Sequence, residues 1–239
     1  MPREMGLHDH LAELRRSLIP PIVLASLITI LSATSDNIVS LIAWWLDLYG
    51  DSSGRGLSVY APHDWYVLKW SAAILLGITC THPFLCFNLW KFVESGLIET
   101  EKKIVSTLFL GVSFLLPVAV IAIVFASPSI ASAAVSADQM VDVEAAIDSV
   151  AIASMAVSLS WIAVVLILLT GLLCVVRVIT PPGDARDWIR IRLHVIFAGI
   201  LFLILSSGFE GMRMIIIIFI AIISEAISRL VLVKFEEMS

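Results

Sequence analysis

Charge is what this sequence has least of. Only 15% of its 239 residues are Asp, Glu, Lys or Arg, where a soluble domain carries about 25%. With 59% apolar residues and a mean hydropathy of +1.01, the chain is read as dissolved in lipid, which excludes a soluble enzyme and a nucleic-acid-binding domain. Cysteine is scarce as well. Cys80, Cys86 and Cys174 all fall in or beside apolar runs, so no disulfide framework is expected, and without a Cys/His cluster no structural metal. His8 and His10 alone are too few to chelate one. There is no GxSxG, no HExxH, no phosphate-binding glycine loop and no His/Asp pair in an intramembrane setting, so neither an enzyme nor a cofactor is expected. No small-residue cleavage site follows Arg15 and Arg16, and the first apolar run is expected to stay in place.

What is present is a series of long apolar runs. Six spans are expected in one membrane domain covering 1–239, with 1–16 as the N-terminus, 17–231 as the spanning region and 232–239 as a tail. Span one is 17–35. Residues 37–46, ending in Trp44-Trp45, are too short for another span and read as an interfacial amphipathic segment. A polar loop at 47–66 leads into span two, 67–90. Span three, 104–126, is expected to be broken near its middle by Pro117 and stopped by Ser127-Pro128. Span four is 150–176. The last two are expected to be short: seventeen residues between Arg192 and Glu210, then eleven from Met214 to Ser224 before Glu225. Two such crossings imply a thinned bilayer or helices ending in a protein-lined hollow.

The bases sort by side. Arg3, Arg15, Arg16, Lys91, Lys102, Lys103, Arg177, Arg186, Arg190, Arg192, Arg229 and Lys234 share one face, twelve of the fifteen bases. Arg55 and Arg213 fall on the other, with Lys69 at its boundary. Residues 127–149 hold no base and four acids: Asp138, Asp142, Glu144 and Asp148. The positive-inside bias then places both termini in the cytoplasm.

Acids occur on the basic face too. Glu13 lies between His10 and Arg15-Arg16; Glu94, Glu99 and Glu101 lie between spans two and three. Glu101 stands at the start of span three, where a carboxylate favours exposed helix amides. One reading makes these acids neutralisers of nearby bases and helix caps. The other makes them a carboxylate patch built for a cationic ligand, guanidinium above all, since it donates two parallel N–H bonds to one carboxylate. Glu210 and Arg213 are expected to pair across a short turn. Glu225 and Arg229, spaced i,i+4, share a helix face and are expected to pair and anchor the short last span.

Two segments then carry a resemblance. His10-Leu11-Ala12-Glu13-Leu14-Arg15-Arg16 is similar to the H-L-x-E-L-R motif of TatC, the multispanning core subunit of the twin-arginine protein translocase. Pro83, Asn88-Leu89-Trp90-Lys91-Phe92, Gly96-Leu97 and Glu101 resemble that family's W-x-F-x(3)-G/A-L-x(3)-E segment. Ser127-Pro128 and 179–184 are softer likenesses. The resemblance implies a cupped six-helix fold in a prokaryotic plasma membrane. It implies a receptor for twin-arginine signal peptides of folded cargo, working with single-span TatA/TatB-type subunits in hetero- and homo-oligomers and driven by the proton-motive force. It also implies that Glu13 and Glu101 receive the arginines, with Arg15 and Phe92 supporting them. Pro83, Trp90, Leu97, Glu210, Glu225 and Arg229 are expected in structural support.

The chain departs from the family twice. Leu159-Ser160-Trp161-Ile162 stands where the family commonly has a Phe-Glu pair followed by proline, so Ser160 replaces an intramembrane acid. Residues 205–210 replace a T-P-P-D-like turn. Two rival classes are a small secondary transporter and a membrane scaffold without transport. The first would show matching interrupted spans in its two halves, yet Pro117 has no counterpart in span six.

Overall fold

The computed structural model describes residues 7–53, 57–58, 62–137 and 147–236. Arg3, Arg55, Asp138, Asp142 and Glu144 lie outside them. The described chain is helical: α1 (Leu7–Thr34), α2 (Asn37–Ser53), α3 (Pro62–Glu94), α4 (Glu99–Ala137), α5 (Ser149–Ile179), α6 (Asp184–Ile204), a 3-10 turn (Ser207–Met212) and α7 (Arg213–Glu236). A two-residue parallel bridge, β1 (Leu57–Ser58) with β2 (Ile147–Asp148), is the exception.

Helices dominate because lipid offers no partner for a free backbone N–H or C=O. Five of them, α1, α3, α4, α5 and α7, are long and apolar enough to cross a membrane. The first half of α6 carries Asp184, Arg186, Asp187, Arg190 and Arg192, and it does not qualify by that measure. The fold is therefore all-α and polytopic.

Two expectations are corrected, while residues 37–46 form the first part of the seventeen-residue helix α2, which is not among the five candidate crossings. Span three neither breaks at Pro117 nor stops at Ser127-Pro128, because α4 runs through both prolines to Ala137. Pro128 lacks the N–H that would reach the Val124 carbonyl, four residues back. That carbonyl instead accepts the Trp45 indole N–H at 2.7 Å and the Ser127 hydroxyl at 3.0 Å. The proline thus becomes the place where α2 docks on α4, reinforced by an edge-to-face contact of Trp44 with Phe125, centroids 6.1 Å apart. The last span is not short either. α7 has 24 residues, since Glu225 is ion-paired rather than a stop.

Side chains on the outer faces are large and apolar, Val23 and Leu31 on α1 and Leu110 and Phe114 on α4 among them, as lipid contact demands. Between helices, small residues allow close approach. A Cβ on Gly77 of α3 would sit 2.8 Å from the Ala25 carbonyl oxygen of α1. α5 is central and touches α2, α3, α4, α6 and α7. Three buried clusters line it: Ile38, Trp45 and Ala153 with neighbours on α1–α3; Leu116, Trp161 and Val164 between α3, α4 and α5; and Val165, Leu201 and Ile220 toward α6 and α7. Ser160 is fully buried there and donates to the Ala156 carbonyl at 3.0 Å. It satisfies itself within the helix and puts no charge where the family's acid would stand.

Candidate functional site

α1 and α3 run antiparallel, and the Ser17 hydroxyl donates to the Asn88 carbonyl at 2.8 Å. One helical turn beyond that contact lie Glu13 on α1 and Phe92 on α3, so both project from the same end of the molecule. Glu13, Arg15 and Arg16 are exposed. Among the described residues, no ion pair engages any of them. The simplest alternative for Glu13, neutralisation by Arg15-Arg16, is not what the geometry has.

The chain then turns sharply from α3 into α4. The Gly96 N–H donates to Val93 O at 3.1 Å and the Leu97 N–H to Glu94 O at 3.4 Å, while the Ser95 hydroxyl caps Phe92 O at 3.0 Å. Half-buried Leu97 and Phe92 anchor this turn. Glu101, third residue of α4, reaches back so that its Oε2 accepts the Ile98 N–H at 3.2 Å, one half of a capping box. Helix capping and the approach of α3 to α4 thus fix where Glu101 stands. Trp90 packs its ring 6.2 Å from that of Phe109, holding the end of α3 to the start of α4. Lys91 lies over the Phe87 ring at 4.5 Å, and Glu99 pairs with Lys102 at 3.1 Å. Pro83 is half-buried inside α3, and its neighbour His82 is buried, with Nε2 3.4 Å from the Cys86 sulfur. The structure gives Glu13 and Glu101 no direct contact; it places both carboxylates around one helix end.

A second charged group gathers at the same end, and the sequence showed only a quarter of it. Glu225 Oε1 accepts not just from Arg229 Nε at 2.9 Å but also from Arg177 and Arg190. Arg190 further pairs with Asp187 at 2.7 Å. The expected Glu225–Arg229 pair is there; its two partners from α5 and α6 were missed. Their signal was available, since Arg177 closes one span and Arg190 opens the next on the same side. At the opposite end, Arg213 donates to the carbonyls of Leu205 at 3.1 Å and Ser206 at 3.4 Å. Among the described residues it forms no ion pair with Glu210, which is exposed. The expected pairing is thus corrected: the free carbonyls where α6 ends take the guanidinium instead. No group of three or more metal-ligating side chains occurs among the described residues.

With five helices among the described residues long and apolar enough to cross a membrane, the chain is a polytopic membrane protein of all-α class. The profile of the family described as Sec-independent protein translocase protein (TatC) matches residues 9–219, and the chain belongs to that family. Both quoted motifs lie within the matched stretch, so the resemblance read from them stands. The family comprises non-catalytic translocase subunits, in keeping with the reading that the chain is not an enzyme. Sec-independent protein translocase protein TatCy of Bacillus subtilis (strain 168) is 27% identical over 113 residues, which is 47% of this chain and 43% of that protein. The aligned region thus spans less than half of that relative. No solved structure matches.

Proposed function

We propose that the chain is the receptor core of a twin-arginine translocase, with Glu13 and Glu101 receiving the paired arginines of a signal peptide. The observation that carries this is the exposed Glu13 carboxylate, free of any ion pair among the described residues and held beside the α3–α4 turn by the Ser17–Asn88 hydrogen bond. A carboxylate left without a cation at a membrane surface is ready for guanidinium, and two of them suit two arginines. Glu101 spends one oxygen on the Ile98 N–H and keeps the other for a ligand. Phe92 and Arg15 border the patch, and the apolar part of the signal would lie against α1 and α3.

In this reading residues 1–239 form one membrane domain and α6 is the sixth crossing, its charged first half at the interface. Both termini are cytoplasmic in a plasma membrane, and the helices form a cup. Single-span TatA/TatB-type subunits assemble with it, in hetero- and homo-oligomers, to move folded cargo on the proton-motive force.

The test is binding of a fluorescent twin-arginine peptide to the full chain in nanodiscs, beside its twin-lysine version. Arginine is expected to be preferred, with Glu13→Gln or Glu101→Gln each weakening it by about tenfold or more, one charged hydrogen bond of about 1.5–3 kcal/mol. Equal binding of both peptides, unchanged in the variants, would overturn the receptor role and favour a scaffold.

A further inference from the structure

The group around Glu225 holds more positive charge than the protein needs. Three guanidiniums, Arg177, Arg190 and Arg229, meet two carboxylates, Glu225 and Asp187, which leaves one cation in excess. Arg177 and Arg190 are largely enclosed, their side chains 9% and 20% exposed, whereas Arg229 is 65% exposed. Only the Nε of Arg229 is engaged by Glu225; its two terminal nitrogens have no partner among the described residues. His194 directs its Nδ1–H at the Arg190 carbonyl at 2.8 Å.

Asp187, Arg190, Glu225 and Arg229 border an open hollow of about 580 Å³ between α6 and α7. Its two walls share one pattern. On α7, Ile218, Ile222, Glu225 and Arg229 recur at helical spacing on one face; on α6, Arg190 and Ile191 do the same with His194. The apolar residues lead away from the charged rim toward the middle of the helices. Ile191, Ile218 and Ile222 are more than half exposed, so the groove opens to the bilayer. From Arg229 to Ile222 is seven residues, about 10 Å along the axis. A ligand filling both parts is singly anionic at one end and apolar along the rest.

We infer that this groove is a binding site for one anionic phospholipid, its phosphate held by the two terminal nitrogens of Arg229 and an acyl chain laid along Ile222 and Ile218. The guanidinium fork suits phosphate oxygens as it suits carboxylate, and one phosphodiester charge cancels the excess cation. A zwitterionic lipid carries its own ammonium into a site already rich in guanidinium. A free phosphate fills only the rim and leaves the apolar walls bare. The site does not depend on the cargo reading, because none of its residues belongs to the Glu13–Glu101 patch.

The experiment is native mass spectrometry of the full chain released from detergent after exposure to equal amounts of phosphatidylglycerol and phosphatidylcholine with the same acyl chains. The expected result is a single retained phosphatidylglycerol, favoured by about tenfold. The preference falls to near parity in Arg229→Gln and is kept in Lys103→Gln, which removes a base at the same end but outside the groove. Inorganic phosphate at millimolar concentration is expected not to displace the lipid. Equal retention of the two lipids by the unaltered protein would overturn the site without recourse to any variant. So would a preference lost in both variants, which is diffuse surface attraction, or kept in both, or displacement by phosphate alone.

Discussion

Two sets of glutamates sit at one end of this molecule and differ in every respect but chemistry. Among the described residues Glu13 is exposed with no ion partner, while Glu225 is 19% exposed and serves three arginines. The difference follows from what surrounds each. Around Glu13 a single helix turn faces water, where an ion pair with Arg15 or Arg16 gains less than it loses in side-chain freedom. Around Glu225 the end of α5, the first turns of α6 and the middle of α7 converge, and an unpaired charge there would be costly. One carboxylate is consumed by the fold; the other is left for a ligand. Position in the helix bundle decides which.

The comparison breaks most visibly if Glu225 is neutralised. Glu225→Gln removes the counter-charge from the enclosed Arg177 and one of the two from Arg190, and is expected to cost about 3 kcal/mol, read as earlier unfolding on titration with a denaturing detergent. Glu13→Gln is expected to move the same midpoint by less than about 0.5 kcal/mol. Similar losses in both would mean that Glu13 is also a structural residue.

Next in size is the joint that holds Glu13 where it is. Gly77→Val drives a branched side chain into the Ala25 backbone, and something in α1 or α3 must shift. The expected cost is about 2 kcal/mol, by the overpacking seen in tight cores. Because the same contact sets the α1 end against the Phe92 turn, peptide binding should weaken as well. A variant that keeps full stability and full binding would show that α1 and α3 tolerate separation and that the rim does not rely on their closeness.

How much of this was legible depended on distance along the chain. The apolar runs, the paired motifs and the i,i+4 spacing of Glu225 and Arg229 are local, and local physics reads them. Pro128 misled because a proline ends a helix unless another group takes the freed carbonyl, and that group, Trp45, lies 79 residues away. The same holds for Glu225. Arg177 and Arg190 are 48 and 35 residues distant, and without them the acid read as the end of a short span. With them it is neutralised, and α7 continues to 24 residues. The proposed site rests on local signals too, since motif and helix-start position are what single out Glu13 and Glu101. What the sequence did not reveal was that Glu13 would have no ion partner.

The smallest effect sharpens the comparison most, because Glu101 stands between the two extremes. Its Oε2 caps Ile98 as a structural group would, while it has no ion pair among the described residues. Two variants separate these roles. Glutamine also closes a capping box at this position, so Glu101→Gln keeps the cap and loses the charge, with stability expected within about 0.5 kcal/mol of the parent. Glu101→Ala loses both, and the start of α4 is expected to weaken by about 0.5–1 kcal/mol, seen as faster amide exchange over the first turn of α4. Twin-arginine peptide binding should fall equally in the two. If alanine alone impaired binding, Glu101 would act through the turn it holds, and Glu13 would be left as the one direct receiver of guanidinium.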